Sequence, residues 1–181
     1  WPSWHWRDQP LWVAEAKEKW GNNFLGIYAW DEAGGRQVDQ DPIMPVQKAD
    51  NYTDASNQYV ENLSELIMHY STYYLNTSAS GLKLFTADYA LYWFSYLSGY
   101  DGIFAEFGWN HSRPLNVALC RGAASVQGKE WGVMITWTYR QPPYIELPDE
   151  LYYDMVYAYL SGAKYIIIFS YPEVSIYGIL T

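Results

Sequence analysis

Along this chain the hydrophobic pattern alternates between two kinds of stretch. Short segments in which nearly every residue is apolar recur five times: Phe24 to Trp30, Leu82 to Ala87, Asp101 to Phe107, Trp131 to Trp137 and Lys164 to Ser170. Segments apolar on both faces predict strands buried in a parallel sheet covered by helices. Between them the spacing turns helical. Tyr59, Val60, Leu63, Ile67, Tyr70 and Tyr74 fall on one face of a helix from Asp54 to about Leu75. Shorter helices are predicted over Ala14 to Trp20, stopped by Gly21, and over Tyr89 to Leu97, closed by Gly99. Pro114 opens a helix to about Val126, and Pro148 opens one carrying Leu151, Met155, Ala158 and Tyr159 on one face. Gln37 to Tyr52 reads as a long loop, and Thr138 to Pro143 as the exit loop of the fourth strand.

The order is therefore β-α-β-α-β-α-β-α-β, the pattern of an α/β fold with a parallel sheet. An eight-stranded barrel usually needs more than about 200 residues, and this chain has 181. An open sheet that binds nucleotides would carry a glycine-rich strand-to-helix turn, and no strand exit has one. The expectation is a single (β/α)8 TIM-barrel-like domain over residues 1–181, present as an incomplete barrel or fragment with five parallel strands. The chain begins at Trp1, so a longer protein is part of that expectation.

Charge narrows the partners. A net charge of −9 argues against nucleic acid, which needs a basic footprint, and against an anionic membrane surface. No apolar run is long enough for membrane insertion. The single Cys120 permits no intramolecular disulfide and lies mid-helix among Leu119, Ala123 and Ala124, where a buried inert thiol is expected. His5, His69 and His111 lack metal-ligand spacing, so no metal is expected, and no cofactor is called for. Asn51, Asn62, Asn76 and Asn110 each open an N-x-[ST] sequon, where about one would arise by chance. The excess points to an extracellular or cell-surface protein, with N-glycans at Asn51, Asn62 and Asn76.

The 10 Trp and 19 Tyr change the picture most. Amphipathic rings stack on sugar faces while their polar edges reach water, so carbohydrate is the expected ligand. Acids stand at four of the five strand exits: Asp31 and Glu32, Asp88, Glu106 and Glu173. Parallel strand ends converge on one mouth in a barrel, which brings such acids together. Glycoside hydrolysis needs one protonated and one ionised carboxyl group, and crowding with desolvation separates their pKa values. Glu106 is the expected general acid/base, with Glu173 or Asp31 as the second carboxylate. Trp30, Trp109, Trp137 and Tyr171 are expected platforms. Asn110 and Arg113 would orient hydroxyls, and Glu32, Asp88 and Tyr139 complete the substrate-binding set. Each has a plainer reading too: Glu106 salt-bridged to Arg113, Asp88 capping the helix from Tyr89, His111 serving the turn before Arg113.

The strand exit Tyr28-Ala-Trp-Asp-Glu-Ala-Gly-Gly35 resembles the Y-x-x-D-E-P-G exits of glycoside-hydrolase-like TIM barrels. Asp101-Gly-Ile-Phe-Ala-Glu-Phe107 is similar to the strand on which such barrels display a catalytic acid. The resemblance covers the five βα units and implies the barrel fold with strand-end carboxylate chemistry. The chitinase run D-G-x-D-x-D-x-E is not met, since Phe104 and Gly108 stand where two acids belong. Ala105 before Glu106 likewise departs from the Asn-Glu dipeptide of another large clan. The alternative is a non-catalytic barrel of a surface or matrix protein that binds glycans or protein partners.

Overall fold

The computed structural model describes residues 9–41, 46, 48–75, 82–140 and 143–169. Helix α1 (Gln9–Trp20) leads through a short 3-10 turn into β1 (Gly26–Tyr28), followed by the short α2 (Ala33–Val38) and the long α3 (Tyr52–Leu75). Then come β2 (Lys83–Asp88), α4 (Tyr92–Leu97), β3 (Gly102–Phe107), α5 (Arg113–Gln127) and β4 (Glu130–Thr136). A hairpin of β5 (Thr138–Arg140) and β6 (Pro143–Ile145) precedes α6 (Pro148–Leu160) and β7 (Tyr165–Phe169). The main sheet runs β1-β2-β3-β4-β7 with every pair parallel, and it curls into a half-barrel.

Side chains alternate across the strands, and the alternation decides what each strand end delivers. Leu84, Ile103, Ala105, Phe107, Val133 and Ile135 belong to the core that the helices cover, which includes Tyr59 and Leu63 of α3 and Val117 and Ala124 of α5. Phe85, Ala87, Phe104 and Met134 face the concave side, with Tyr165, Ile167 and Phe169 against them. Glu106 shares the parity of Phe104 and pairs in register with Met134, so it emerges at the concave mouth. At the opposite end of that face, Lys83, Lys164 and Tyr165 all donate to the Glu130 carboxylate. Burial alone would raise that carboxyl; the hydrogen bonds from Lys164, Lys83 and Tyr165 hold it down at about 2.

Three expectations need adjusting. The stretch read as a loop after β1 contains α2, six residues long, too short for a periodic pattern to register. The helix expected from Tyr89 starts at Tyr92: the backbone N–H groups of Tyr89 and Ala90 turn back onto Asp88, and Leu91 takes a left-handed φ of 52°. The exit loop of β4 folds into the β5–β6 hairpin. Elsewhere α3 is capped by Asn51, whose side-chain oxygen accepts the Asp54 N–H at 3.0 Å. Asn51 and Asn62 are both exposed, and Asn76 lies outside the described residues. Among the described residues no helix is long and apolar enough to cross a membrane.

Cys120 sits on the buried face of α5 with no exposed surface. Its thiol lies 3.8 Å from the Tyr96 hydroxyl and 3.6 Å from the Ile103 carbonyl. Burial pushes its pKa up to about 12, which keeps it a thiol.

Candidate functional site

A cavity of about 450 Å³ opens at the carboxyl ends of the strands. Asp31, Glu32, Asp39 and Glu106 line it, with Tyr89, Trp109, His111, Met134, Thr136, Tyr139 and Phe169. Each acid arrives by its own route. Glu106 is delivered by β3 and is 5% exposed, and among the described residues no guanidinium pairs with it. Asp31 and Glu32 follow β1 in a tight turn in which Trp30 and Glu32 have φ of 57° and 54°. Asp39 comes at the end of α2, where it accepts the Tyr89 hydroxyl.

The turn that presents Asp31 and Glu32 is held from beneath by Asp88. Its Oδ2 accepts the Gly34 N–H at 2.7 Å, and its Oδ1 accepts those of Gly35 at 2.8 Å, Tyr89 at 2.8 Å and Ala90 at 3.1 Å. The adjacent glycines are required by closeness. A Cβ on Gly34 would lie 2.3 Å from the Ala90 carbonyl oxygen, and one on Gly35 would lie 2.2 Å from the Tyr89 ring. Burial lifts the Asp88 pKa to about 7, although all four N–H donors favour the carboxylate.

In the cavity itself the acids are short of cations. Burial, then the charges of Glu32, Asp31 and Asp88, push the Glu106 carboxyl well above the usual carboxylate range. Glu32 is in hydrogen-bonding contact with Glu106 and is raised by burial and by Asp31. In such a pair two bare charges are disfavoured, and Glu106 is the member that Glu32 pushes up. Desolvation raises Asp31 as well, while the Tyr28 hydroxyl, which donates to its Oδ1, and Arg36 pull it down. Among the described residues no three His, Cys, Asp or Glu side chains are grouped to hold a metal ion.

Aromatic rings form one wall. The Trp109 ring meets Tyr139 edge-on at 5.6 Å and lies 5.1 Å from Tyr144. Tyr89 and His111 lie 5.0 Å apart. Burial and the nearby Arg113 lower the His111 pKa, so the ring is neutral at physiological pH.

Thus Asp31, Glu32, Glu106, Trp109 and Tyr139, five of the residues expected from sequence, meet in one cavity. Others lie elsewhere. Asp88 has the parity of Leu84 and Thr86, faces the helices, and has no exposed surface. Trp30 and Trp137 pack against the helix-covered core. Asn110 is exposed in the turn after β3 and does not line the cavity. Arg113 is bound to the protein itself. Its Nε donates to Asp154 at 3.0 Å, and one terminal nitrogen donates to the carbonyls of Gly108, Trp109 and His111. It therefore shapes the loop that carries Trp109. Glu173 and Tyr171 lie outside the described residues. Asp39 and Tyr89 were missed, and only the hydrogen bond between them, made across α2, reveals their place.

No family model, no curated protein and no solved structure matches the chain. Function therefore has to be argued from the cavity.

Proposed function

We propose that the half-barrel belongs to a (β/α)8, TIM-barrel-like protein of glycoside-hydrolase character that acts on carbohydrate at this cavity. One observation supports the reading above the rest: Glu106 faces the mouth nearly buried, its pKa raised by burial and by neighbouring acids, beside ionisable Asp31 and an aromatic wall. A carboxyl group kept neutral at physiological pH is suited to give its proton to a departing glycosidic oxygen. Asp31, at the exposed rim with the Tyr28 hydroxyl donating to it, is the ionised partner that attacks the anomeric carbon or activates water. Glu32 touches Glu106 too closely to stand across a sugar ring from it, and its part is to tune that proton. Trp109 and Tyr139 supply stacking faces. The exposed sequons at Asn51 and Asn62 support an extracellular or cell-surface setting.

The test is turnover across a panel of glycosides. Glu106→Gln is expected to reduce the rate by about 10²–10⁴-fold while leaving binding in place. Unchanged turnover in that variant overturns the assignment of Glu106. Glycan binding without turnover in the parent chain leaves a non-catalytic surface barrel instead.

A further inference from the structure

The cavity described above has an unusual charge balance, and that balance specifies the ligand more narrowly. Among the described residues its lining holds four acids, Asp31, Glu32, Asp39 and Glu106, and neither a lysine nor an arginine. Of the arginines on neighbouring elements, Arg36 reaches Asp31 and Glu32 only through its charge, from outside the lining. Arg36 pairs with Asp41 at 3.1 Å, and Arg113 is held by Asp154 and three carbonyl oxygens. His111 is the remaining basic group in the lining, and its surroundings disfavour the charged form. Glu106, nine-tenths buried, meets another acid and no cation. Two further polar atoms await partners: the buried Nε1 of Trp109 and Nδ1 of His111 make no hydrogen bond within the protein.

We propose that this cavity selects carbohydrate carrying a free protonated amine, of the glucosamine type, over N-acetylated and uronic sugars. The inference rests on the carbohydrate reading of the same site. An ammonium group placed among these carboxyl groups supplies the positive charge the protein withholds, and inside a partly desolvated cavity that attraction is several-fold stronger than in water. The rings of Trp109, Tyr139 and Tyr89 add a face that attracts cations as well as sugar C–H groups. An N-acetyl group is neutral and gains none of this. A uronic acid would bring a further carboxylate into a lining with no lysine or arginine among the described residues, a discrimination by repulsion. Burial and neighbouring acids raise the Glu106 and Glu32 pKa values, and an ammonium group that lowers them again releases part of a proton as it binds.

The experiment is calorimetric titration of the chain with three probes: a glucosamine tetramer, an N-acetylglucosamine tetramer and a galacturonic acid tetramer. Near neutral pH the glucosamine tetramer is expected to bind at least about tenfold tighter than its N-acetylated form, with no detectable binding of the acidic one. The preference should shrink several-fold between about 0.05 and about 0.5 M NaCl. Repeating the titration in buffers of different ionisation enthalpy should show proton release with the amine and none with the N-acetyl form. In Asp31→Asn the ratio between the two should fall. Equal or better binding of the N-acetylated or acidic tetramer overturns amine selection and leaves the carbohydrate reading standing. Failure of every tetramer, together with a broader glycan panel, overturns both.

Discussion

Two groups of acids sit on either side of the loop after β3, and they are built on opposite principles. In one, Glu146, 1% exposed, and Asp154 surround Arg113, at 3.5 Å and 3.0 Å from its guanidinium. Burial, then the neighbouring Asp154, still lift Glu146 to about 8, with Arg113 pulling the other way. The arginine ties this group to the carbonyls of the Trp109 loop and, through Tyr144 at 3.4 Å, to the hairpin. In the other group, Glu106, Glu32 and Asp31 have cavity on one side and, among the described residues, no lysine or arginine in the lining. The first group fixes a loop and the second leaves charge unanswered where a ligand can reach it. An acid that supports structure has its charge answered, by a cation as at Glu146 and Asp154 or by backbone N–H groups as at Asp88; among the described residues Glu106 meets neither.

Removing the cation should give the largest effect. Arg113→Ala strands two carboxyl groups and three carbonyls, and is expected to cost about 3–5 kcal/mol in urea denaturation. An unchanged midpoint would mean that the two groups do not differ in kind. Neutralising the other group should act in the opposite direction. Glu106→Gln relieves an uncompensated buried charge and is expected to raise stability by about 1 kcal/mol above neutral pH, even as turnover is lost. A loss of stability would place Glu106 among the structural acids.

The smallest effect is on the pH profile. Asp31, Glu32, Asp88, Glu106 and Glu146 all have raised pKa values, so the folded chain binds more protons than the unfolded one. Their contribution is complete below the ordinary carboxylate range and is lost as pH rises through about 7 for Asp88 and about 8 for Glu146. Stability should therefore fall between pH 5 and pH 8, while Glu130, held low by its lysines, opposes that trend only in stronger acid. Glu146→Gln should flatten that part of the curve by at most about 1.4 kcal/mol per pH unit. Equal slopes in parent and variant would show that Glu146 does not titrate there.

Much of this was legible in the sequence, for identifiable reasons. The five strands announce themselves because a sheet covered on both faces is apolar at every position, and Glu106 stands out as the one acid inside such a run. Asp88 looks like the same kind of strand-end acid. What separates them is parity: Phe85 and Ala87 face the concave side, which turns Asp88 toward the helices. Knowing which parity is concave takes the pairing of Ala87 with Phe104, a non-local fact. Trp137 was misplaced for the same reason, one residue past concave-facing Thr136. Arg113 reads from sequence as a hydroxyl ligand or a partner of Glu106 because its partners Asp154 and Glu146 lie far along the chain.

The lone thiol of Cys120 gives the molecule a built-in stopwatch. Sealed between α5 and the sheet, and held protonated by its surroundings, it is closed to an alkylating reagent until that helix lifts away. The pace of labelling therefore counts openings of the layer directly behind β3, the strand that carries Glu106. Ligand that stiffens the mouth should slow the count, without any dye or engineered probe.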